Sequence, residues 1–307
     1  MWHTILLVSV IGLMLPARTR AAGVDATIDA TPGGTLRVTL QRGTVDVTTH
    51  DRDMVTVSAH TTADSIWRAD VDLHRAADGE GIELTGRIVT GDGFVAKTIA
   101  WALWPLWPVT LDVRLAVPRE YSIVVRTAGG HVTAAGLRGQ VDLETSGGAV
   151  DLHDIAGDVA AKTAGGRIDV ADVTGHVQAQ TSGGAIGIDQ VNGPIDVRTS
   201  GGRIDVRDAT GEVTASTSGG AVFSSFAGAP HGSLETSGGS IEVRVPADAG
   251  AELDARTSGG RVQVANPLVV AGGGDAQHVI GRLNGGGAPL RLRTSGGNIY
   301  VGVRDVR

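Results

Sequence analysis

Residues 145–198 read TSGGAVDLHDIAGDVAAK, TAGGRIDVADVTGHVQAQ and TSGGAIGIDQVNGPIDVR, three consecutive stretches of equal length that share one pattern. Each begins with Thr, continues with Ser or Ala and then Gly-Gly, and goes on with alternating apolar and polar residues. The same tetrapeptide starts at Thr127, Thr145, Thr163, Thr181, Thr199, Thr217, Thr236, Thr257 and Thr294. Its starts are evenly spaced from Thr127 to Thr217, and the later intervals are longer. The chain is therefore a repeat protein.

Aligning the units places aliphatic residues in columns. One column holds Val150, Ile168, Ile186, Ile204, Val222, Ile241 and Val262, and a second holds Leu152, Val170, Ile188, Val206 and Val243. Polar residues such as Asp169 alternate with them, which indicates strands with one face inward. Short strands between Gly-rich corners predict an all-β fold, a two-sheet β-solenoid with 18-residue coils.

The repeated tetrapeptide has a structural explanation. Identical corners stacked at a strand spacing of about 4.8 Å leave no room for side chains, and turns with positive φ favour glycine. The threonine falls on the inward phase of its strand, so we expect a buried hydroxyl ladder in which each member donates to a neighbour along the stack. Its members are Thr145, Thr163, Thr181, Thr199 and Thr217.

Charges on the outer face follow the same register. Arginine comes directly after Gly-Gly on every second coil, at Arg167 and Arg203, while Ala occupies that position on the coils between. Asp169 and Asp205 follow two residues later and should lie on the same face. We expect ion pairs that keep the surface soluble.

Residues 23–120 lack the 18-residue spacing but still alternate in short apolar and polar runs. We interpret them as an irregular β region, of hairpins or irregular coils, that caps the first edge of the solenoid. The regular solenoid is predicted to occupy residues 121–307.

The apolar run from Ile5 to Leu15, followed by small residues, is typical of a signal peptide and too short to span a bilayer. Residues 1–21 are assigned to it, with cleavage after Ala21 or Ala22. The alternative is an uncleaved anchor or a misassigned start. Cleavage would place the mature chain in the periplasm, at the cell surface or outside the cell.

Composition excludes several classes. Glycine is abundant, with 46 residues, but only 10 prolines are present, so collagen and Pro-rich disorder are excluded. The chain has no cysteine, and therefore no disulfide or thiolate site. A net charge of −7 opposes nucleic-acid binding. Nine histidines lack ligand spacing, so we predict no metal and no cofactor.

One segment differs in composition from the rest. Residues 98–111 read TIAWALWPLWPVTL, carry no charge and contain Trp101, Trp104 and Trp107. Two prolines prevent a spanning helix. In one interpretation the rings cover the open end of the solenoid. In the other they form a docking patch for a partner or a membrane interface.

The repeats GGAVDL, GGRIDV and GGNIYV, the segment LDVRLAVPREYSIVVRTAGG and the closing LNGGGAPLRLRTSGGNIYV resemble the bacterial putative-adhesin family, domain of unknown function 4097. The likeness covers most of residues 30–303. It implies a β-strand-repeat fold and an envelope or surface location, and it supplies no catalytic residues.

Calcium-binding nonapeptide rolls share the 18-residue coil, but their GGxGxD signature is absent, because an inward Ile or Val stands at its fourth position. We therefore predict a non-catalytic, adhesin-like scaffold or macromolecule-binding module whose partner is an unidentified envelope or surface macromolecule. The alternative is a carbohydrate-active β-helix enzyme that uses stacked acids such as Asp151 and Asp169. Self-association through a sheet edge near Tyr300–Val303 is a further hypothesis.

Overall fold

The computed structural model describes residues 17–21, 23–61, 67–76, 81–90, 110–265 and 268–304. These residues form 28 strands joined by turns, and no helix occurs among them. The all-β prediction is confirmed. By its internal contacts the chain divides into two units, residues 1–151 and 152–307, and each is described separately.

The first unit contains the following complete strands among its described residues: β1 (Ala17–Ala21), β2 (Gly23–Asp29), β3 (Thr35–Leu40), β4 (Gly43–His50), β5 (Met54–Thr61), β6 (Trp67–Arg75), β7 (Gly81–Thr90), β8 (Leu111–Pro118), β9 (Ser122–Thr127), β10 (Val132–Leu137) and β11 (Val141–Thr145). Strand β12 (Val150–Ala156) crosses the division between the units. Of the predicted signal peptide, residues 1–16 lie outside the described residues. Residues 17–21 form β1, which pairs with β6 in antiparallel register.

Strands that precede the 18-residue repeats also pair in parallel. Strand β3 pairs in parallel with both β7 and β9, and β4 pairs in parallel with β8 and β10. Residues 35–50 therefore form a coil that lies between two coils made by later residues. Antiparallel strands β1, β2, β5 and β6 complete this end. Residues 23–120, predicted to be irregular, thus contain coils with parallel pairing. Their repeat could not be recognised in the sequence because long insertions separate the strands. The predicted boundary at residue 120 remains a prediction.

The second unit contains these strands among its described residues: β13 (Val159–Thr163), β14 (Ile168–Thr174), β15 (Val177–Gln180), β16 (Ile186–Asn192), β17 (Ile195–Thr199), β18 (Ile204–Ala209), β19 (Val213–Thr217), β20 (Val222–Phe226), β21 (Gly232–Thr236), β22 (Ile241–Val245), β23 (Ala251–Thr257), β24 (Val262–Val264), β25 (Val270–Gly274), β26 (His278–Leu283), β27 (Pro289–Thr294) and β28 (Ile299–Val303). From β13 to β25, successive strands alternate between the two sheets, whereas β25, β26 and β27 all lie in one sheet. Sheet A has the order β13-β15-β17-β19-β21-β27-β23-β26-β25, and sheet B has the order β14-β16-β18-β20-β22-β28-β24.

The last coil of the chain is not the last coil of the stack. Strand β28 pairs in parallel with β22 on one side and with β24 on the other. Likewise β27 lies between β21 and β23. In the predicted edge near Tyr300–Val303, Tyr300 and Val301 are therefore paired on both sides, whereas Gly302 and Val303 have register partners on β22 alone. Self-association through a sheet edge remains a prediction. The sheet edges of the described residues at this end are β24 and β25.

The core of the second unit consists of the predicted columns. Ile168, Ile186, Ile204, Val222 and Ile241 follow one another in register and are at most 1% exposed. Ile299 enters the same column between Ile241 and Val262. Burying each such side chain contributes about 1.5–3 kcal/mol, so the column is a main source of stability.

Four successive coils place a residue other than glycine in the left-handed backbone region. Asp154, Asp172, Gln190 and Asp208 have φ of +55°, +56°, +54° and +53°. Aspartate tolerates this conformation better than most residues do, and glutamine lacks that advantage. We expect Gln190→Gly to raise the free energy of unfolding by about 1 kcal/mol, measured by urea denaturation. The matched change Gln178→Gly, in an ordinary strand position, should lower it by a similar amount, and equal effects at both sites would contradict the argument.

One column contains a polar defect. Ser224 lies between Val206 and Val243, is fully buried, and its Oγ has no hydrogen-bond partner. An unpaired buried hydroxyl costs about 1–3 kcal/mol. Ser224→Ala should therefore raise the thermal midpoint.

The neighbouring serine provides the control for that prediction. Ser225 accepts a hydrogen bond at 3.0 Å from the backbone N–H of Asp208, so Ser225→Ala should lower the midpoint. A loss of stability in both variants would show that the Ser224 hydroxyl is satisfied.

Candidate functional site

The threonines of the tetrapeptide form a side-chain to main-chain ladder. Thr199 Oγ1 donates to the carbonyl oxygen of Gly184 on the neighbouring coil at 3.0 Å and accepts from the N–H of Gly202 at 3.2 Å. The same two bonds occur at Thr145, Thr181, Thr217, Thr236, Thr257 and Thr294. Thr163 accepts the equivalent bond from Gly166 at 3.2 Å. The hydroxyls of this ladder thus bond main-chain groups, and the ladder fixes the corners of the coils.

Outer-face carboxylates are paired with arginines close to them in sequence. Arg167 bonds Asp169, and Arg203 bonds Asp205 at 3.0 Å. Arg207 adds a second bond to Asp205 at 3.0 Å. Each exposed pair contributes at most about 1 kcal/mol, so their main effect is to neutralise charge locally.

The acids proposed for catalysis have different surroundings. Asp151 faces His131, with 3.0 Å between Oδ2 and Nε2, whereas Asp169 bonds Arg167. Asp189 is the acid of this face whose pKa is raised, first by burial and then by the negative charge of Asp208. No group of three His, Asp or Glu side chains suited to a metal occurs among the described residues.

A polar groove of about 480 Å³ crosses the corners of four neighbouring coils in the second unit. Its lining is Ser216, Thr217, Ser218, Glu235, Thr236, Ser237, Arg256, Ser258, Arg293, Thr294 and Ser295. The serines of successive tetrapeptides stand in a row, because β19, β21, β27 and β23 follow one another in sheet A. Arg256 is exposed. Sequence reasoning missed this groove, since it depends on the position of β27.

Asp254 holds Arg293, one of the residues that line the polar groove, in position. Arg293 bonds Asp254 with both terminal nitrogens, and His278 Nε2 lies 3.0 Å from Asp254 Oδ1. The Arg293 hydrogen bonds, followed by that of His278, hold the pKa of Asp254 below its ordinary value, while Asp254 raises the pKa of Arg293. The acid therefore stays ionised and fixes the arginine.

This lowered pKa predicts a pH dependence. A lowered folded-state pKa gives stability that is present above the ordinary value of about 4 and is lost as pH falls through the folded pKa. Asp254→Asn should cost about 1 kcal/mol at pH 7 and should flatten the decline of the urea midpoint below pH 4. Equally steep declines in the parent chain and the variant would contradict this assignment.

A second surface lies on the outer face of sheet B. Asp205, Phe223, Glu242, Tyr300 and Gln263 are register partners on β18, β20, β22, β28 and β24. Both aromatic rings are half-buried. We call Phe223, Glu242, Arg244 and Tyr300 the aromatic strip. The position of β28 creates it, because chain order would place Gln263 and not Tyr300 beside Glu242.

Trp101, Trp104 and Trp107, the predicted docking residues, lie outside the described residues. In the part of the chain that the structure describes, no helix has the length and apolarity needed to cross a membrane.

Two sheets of mostly parallel stacked strands, closed by threonine-bonded Gly-Gly corners, define a β-solenoid of the strand-repeat class. The model of the Toastrack DUF4097 family matches residues 34–302. The chain belongs to this family, which confirms the resemblance seen in its repeats.

Solved structures similar to the chain include two with low identity. One is a putative cell adhesion protein from Clostridium sporogenes, 11% identical, with a TM-score of 0.26, covering 92% of this chain and 100% of that one. Another is a putative adhesin from Bacteroides fragilis, 10% identical, with a TM-score of 0.42, covering 92% of this chain and 97% of that one. A comparison with curated proteins finds no match.

Proposed function

We propose that the chain is a non-catalytic, adhesin-like scaffold of the cell envelope that binds another macromolecule through its outer surface. The observation that carries the proposal is the pairing of outer-face carboxylates. Asp169, Asp205, Glu242 and Asp254 are each bonded to an arginine, which neutralises them. A glycosidase needs instead one ionised acid and one protonated acid that face the scissile bond.

Export is part of the proposal and is supported by the apolar run from Ile5 to Leu15. The mature chain would then reside in the periplasm, at the cell surface or outside the cell. Mass spectrometry of the chain recovered from the envelope and medium should give an N-terminus at residue 22 or 23. Recovery of the intact N-terminus would favour the anchor.

The proposed docking residues are Trp101, Trp104 and Trp107, which suit a partner or a membrane interface. We expect the full chain to sediment with envelope fractions, and the triple Trp→Ser variant to lose most of this binding. The triple Trp→Phe variant is the control, because it keeps the rings. Equal binding by all three proteins would show that the docking residues lie elsewhere in the chain. Absence of binding by the parent chain would overturn the proposed function.

The enzyme alternative keeps one observation in its favour, which is the raised pKa of Asp189 beside Asp208. A raised pKa suits a general acid. Cell-wall glycans should be incubated with the parent chain, with the double variant of Asp151 and Asp169 to Asn, and with Asp189→Asn. Turnover that either variant abolishes would establish an enzyme, whereas binding without turnover supports the scaffold.

A further inference from the structure

The aromatic strip places two rings where other coils have polar or small residues. The positions equivalent to Phe223 carry Asp151, Asp169, Gly187 and Asp205. Inward columns stabilise the coils, so an outward phenylalanine adds little to the fold. Half-exposed rings on a face of paired charges are a feature of binding surfaces.

The ring of Tyr300 is held in place. It lies across Gly302, where a Cβ would come within 2.5 Å of Tyr300 Cε1 and 3.0 Å of its hydroxyl oxygen. The Arg244 guanidinium lies 4.9 Å from the ring centroid, and Glu242 bonds this arginine at 2.9 and 2.7 Å. A side chain fixed in this way loses little entropy when a ligand binds.

The spacing of the strip points to a ligand of regular repeat. Phe223 and Tyr300 are both register partners of Glu242, so two strand spacings, about 9.6 Å, separate them. In an extended β-linked glycan, alternate sugar rings present the same face at a comparable distance. Sugar rings pack their C–H faces on aromatic rings, while planar polar side chains bond their hydroxyls.

The charges on the strip favour a neutral chain. Glu242 is bonded to Arg244, and neighbouring Asp205 is bonded to Arg203 and Arg207. Because these charges are paired, neither an acidic nor a basic polymer would gain much from them. Glu242, Arg244 and Gln263 still offer donors and acceptors.

We propose that the aromatic strip binds an extended, uncharged β-linked glycan that runs across the strands, with alternate sugars on Phe223 and Tyr300. This inference rests on the proposed binding function and names the chemical class of its ligand.

The test is isothermal titration of the full chain with two neutral probes, cellohexaose and chitohexaose. We expect binding of at least one hexasaccharide and weaker binding of its disaccharide, which cannot span both rings. Phe223→Asp, which installs the residue found at Asp169 and Asp205, should weaken hexasaccharide binding at least tenfold. Tyr300→Ala should do the same, whereas Phe223→Tyr and Tyr300→Phe should retain affinity.

The matched control is Thr214→Ala on the outer face of sheet A, which should leave affinity unchanged. Failure of the parent chain to bind both hexasaccharides, or undiminished binding by folded Phe223→Asp, overturns the inference. Failure of the inference and failure of the proposed function can be told apart. If the parent chain sediments with envelope fractions but binds neither glycan, only the glycan assignment fails, whereas loss of both activities removes the function as well.

Discussion

Gly202→Ala is expected to lower the free energy of unfolding by about 3 kcal/mol or more, whereas Gly201→Ala in the same corner should change it little. A Cβ at Gly202 would overlap the carbonyl oxygen of Gly184 on the adjacent coil. That carbonyl also accepts the Thr199 hydroxyl at 3.0 Å, so moving it would break the ladder. At Gly201 the nearest atoms to a Cβ are 3.9 Å away, which is an ordinary contact.

Urea denaturation of the two variants would measure the difference, and circular dichroism would show whether Gly202→Ala still folds. Gly220→Ala and Gly219→Ala repeat the comparison one coil further along, where the second glycine again faces a main-chain carbonyl oxygen, that of Gly202. If substitution of either glycine of a corner by alanine lowers the free energy of unfolding equally, close stacking of the coils does not suffice to explain the Gly-Gly pair. If both are tolerated, the corners must be able to move apart.

This asymmetry refines the explanation drawn from the sequence. Positive φ and close stacking both predict Gly-Gly, and the sequence cannot separate them. In the second unit the second glycine is needed for its closeness to the next coil. Positive φ occurs instead at Asp154, Asp172, Gln190 and Asp208, and three of these coils have a second such position at Gly157, Gly175 and Gly193, outside the Gly-Gly pair. The 18-residue spacing of Asp154, Asp172, Gln190 and Asp208 was visible in the sequence and could have marked the bend.

The inward columns were predictable because the alternation of side chains is local and each coil repeats it. Ile168, Ile186 and Ile204 therefore lie in the register that the alignment gives. The order of coils in space was not predictable in the same way. A strand of one repeat fits beside a strand of any other, since all carry the same motif, and only long-range packing decides which two become neighbours.

The candidate sites follow from that order. Tyr300 lies on the same face as Phe223, and Arg293 lines the polar groove, because residues 289–303 insert between coils formed by earlier residues. Thr199 shows the complementary case. The alternation of side chains predicts that its side chain points into the core. Its hydrogen-bond acceptor is a carbonyl oxygen whose position depends on the geometry of the corner.

The inserted coil leads to the second large effect. Val301 is fully buried between Val243 and Val264 in the register of sheet B. Val301→Asp would bury a charge without a partner and should cost about 4 kcal/mol or more. Because β28 joins β22 to β24, the variant should also release the segment 251–283 from the rest of the unit, although this segment comes earlier in the chain.

Limited proteolysis followed by mass spectrometry would detect that release, with cleavage within 251–283 in Val301→Asp but not in the parent chain. Ile280→Asp is the matched control, because Ile280 is 51% exposed and a charge there should cost less than about 0.5 kcal/mol. If coils stacked in chain order, Val301→Asp would fray only the last coil and leave 251–283 protected. Protection of that segment in an otherwise folded variant would therefore contradict the inserted position of β28.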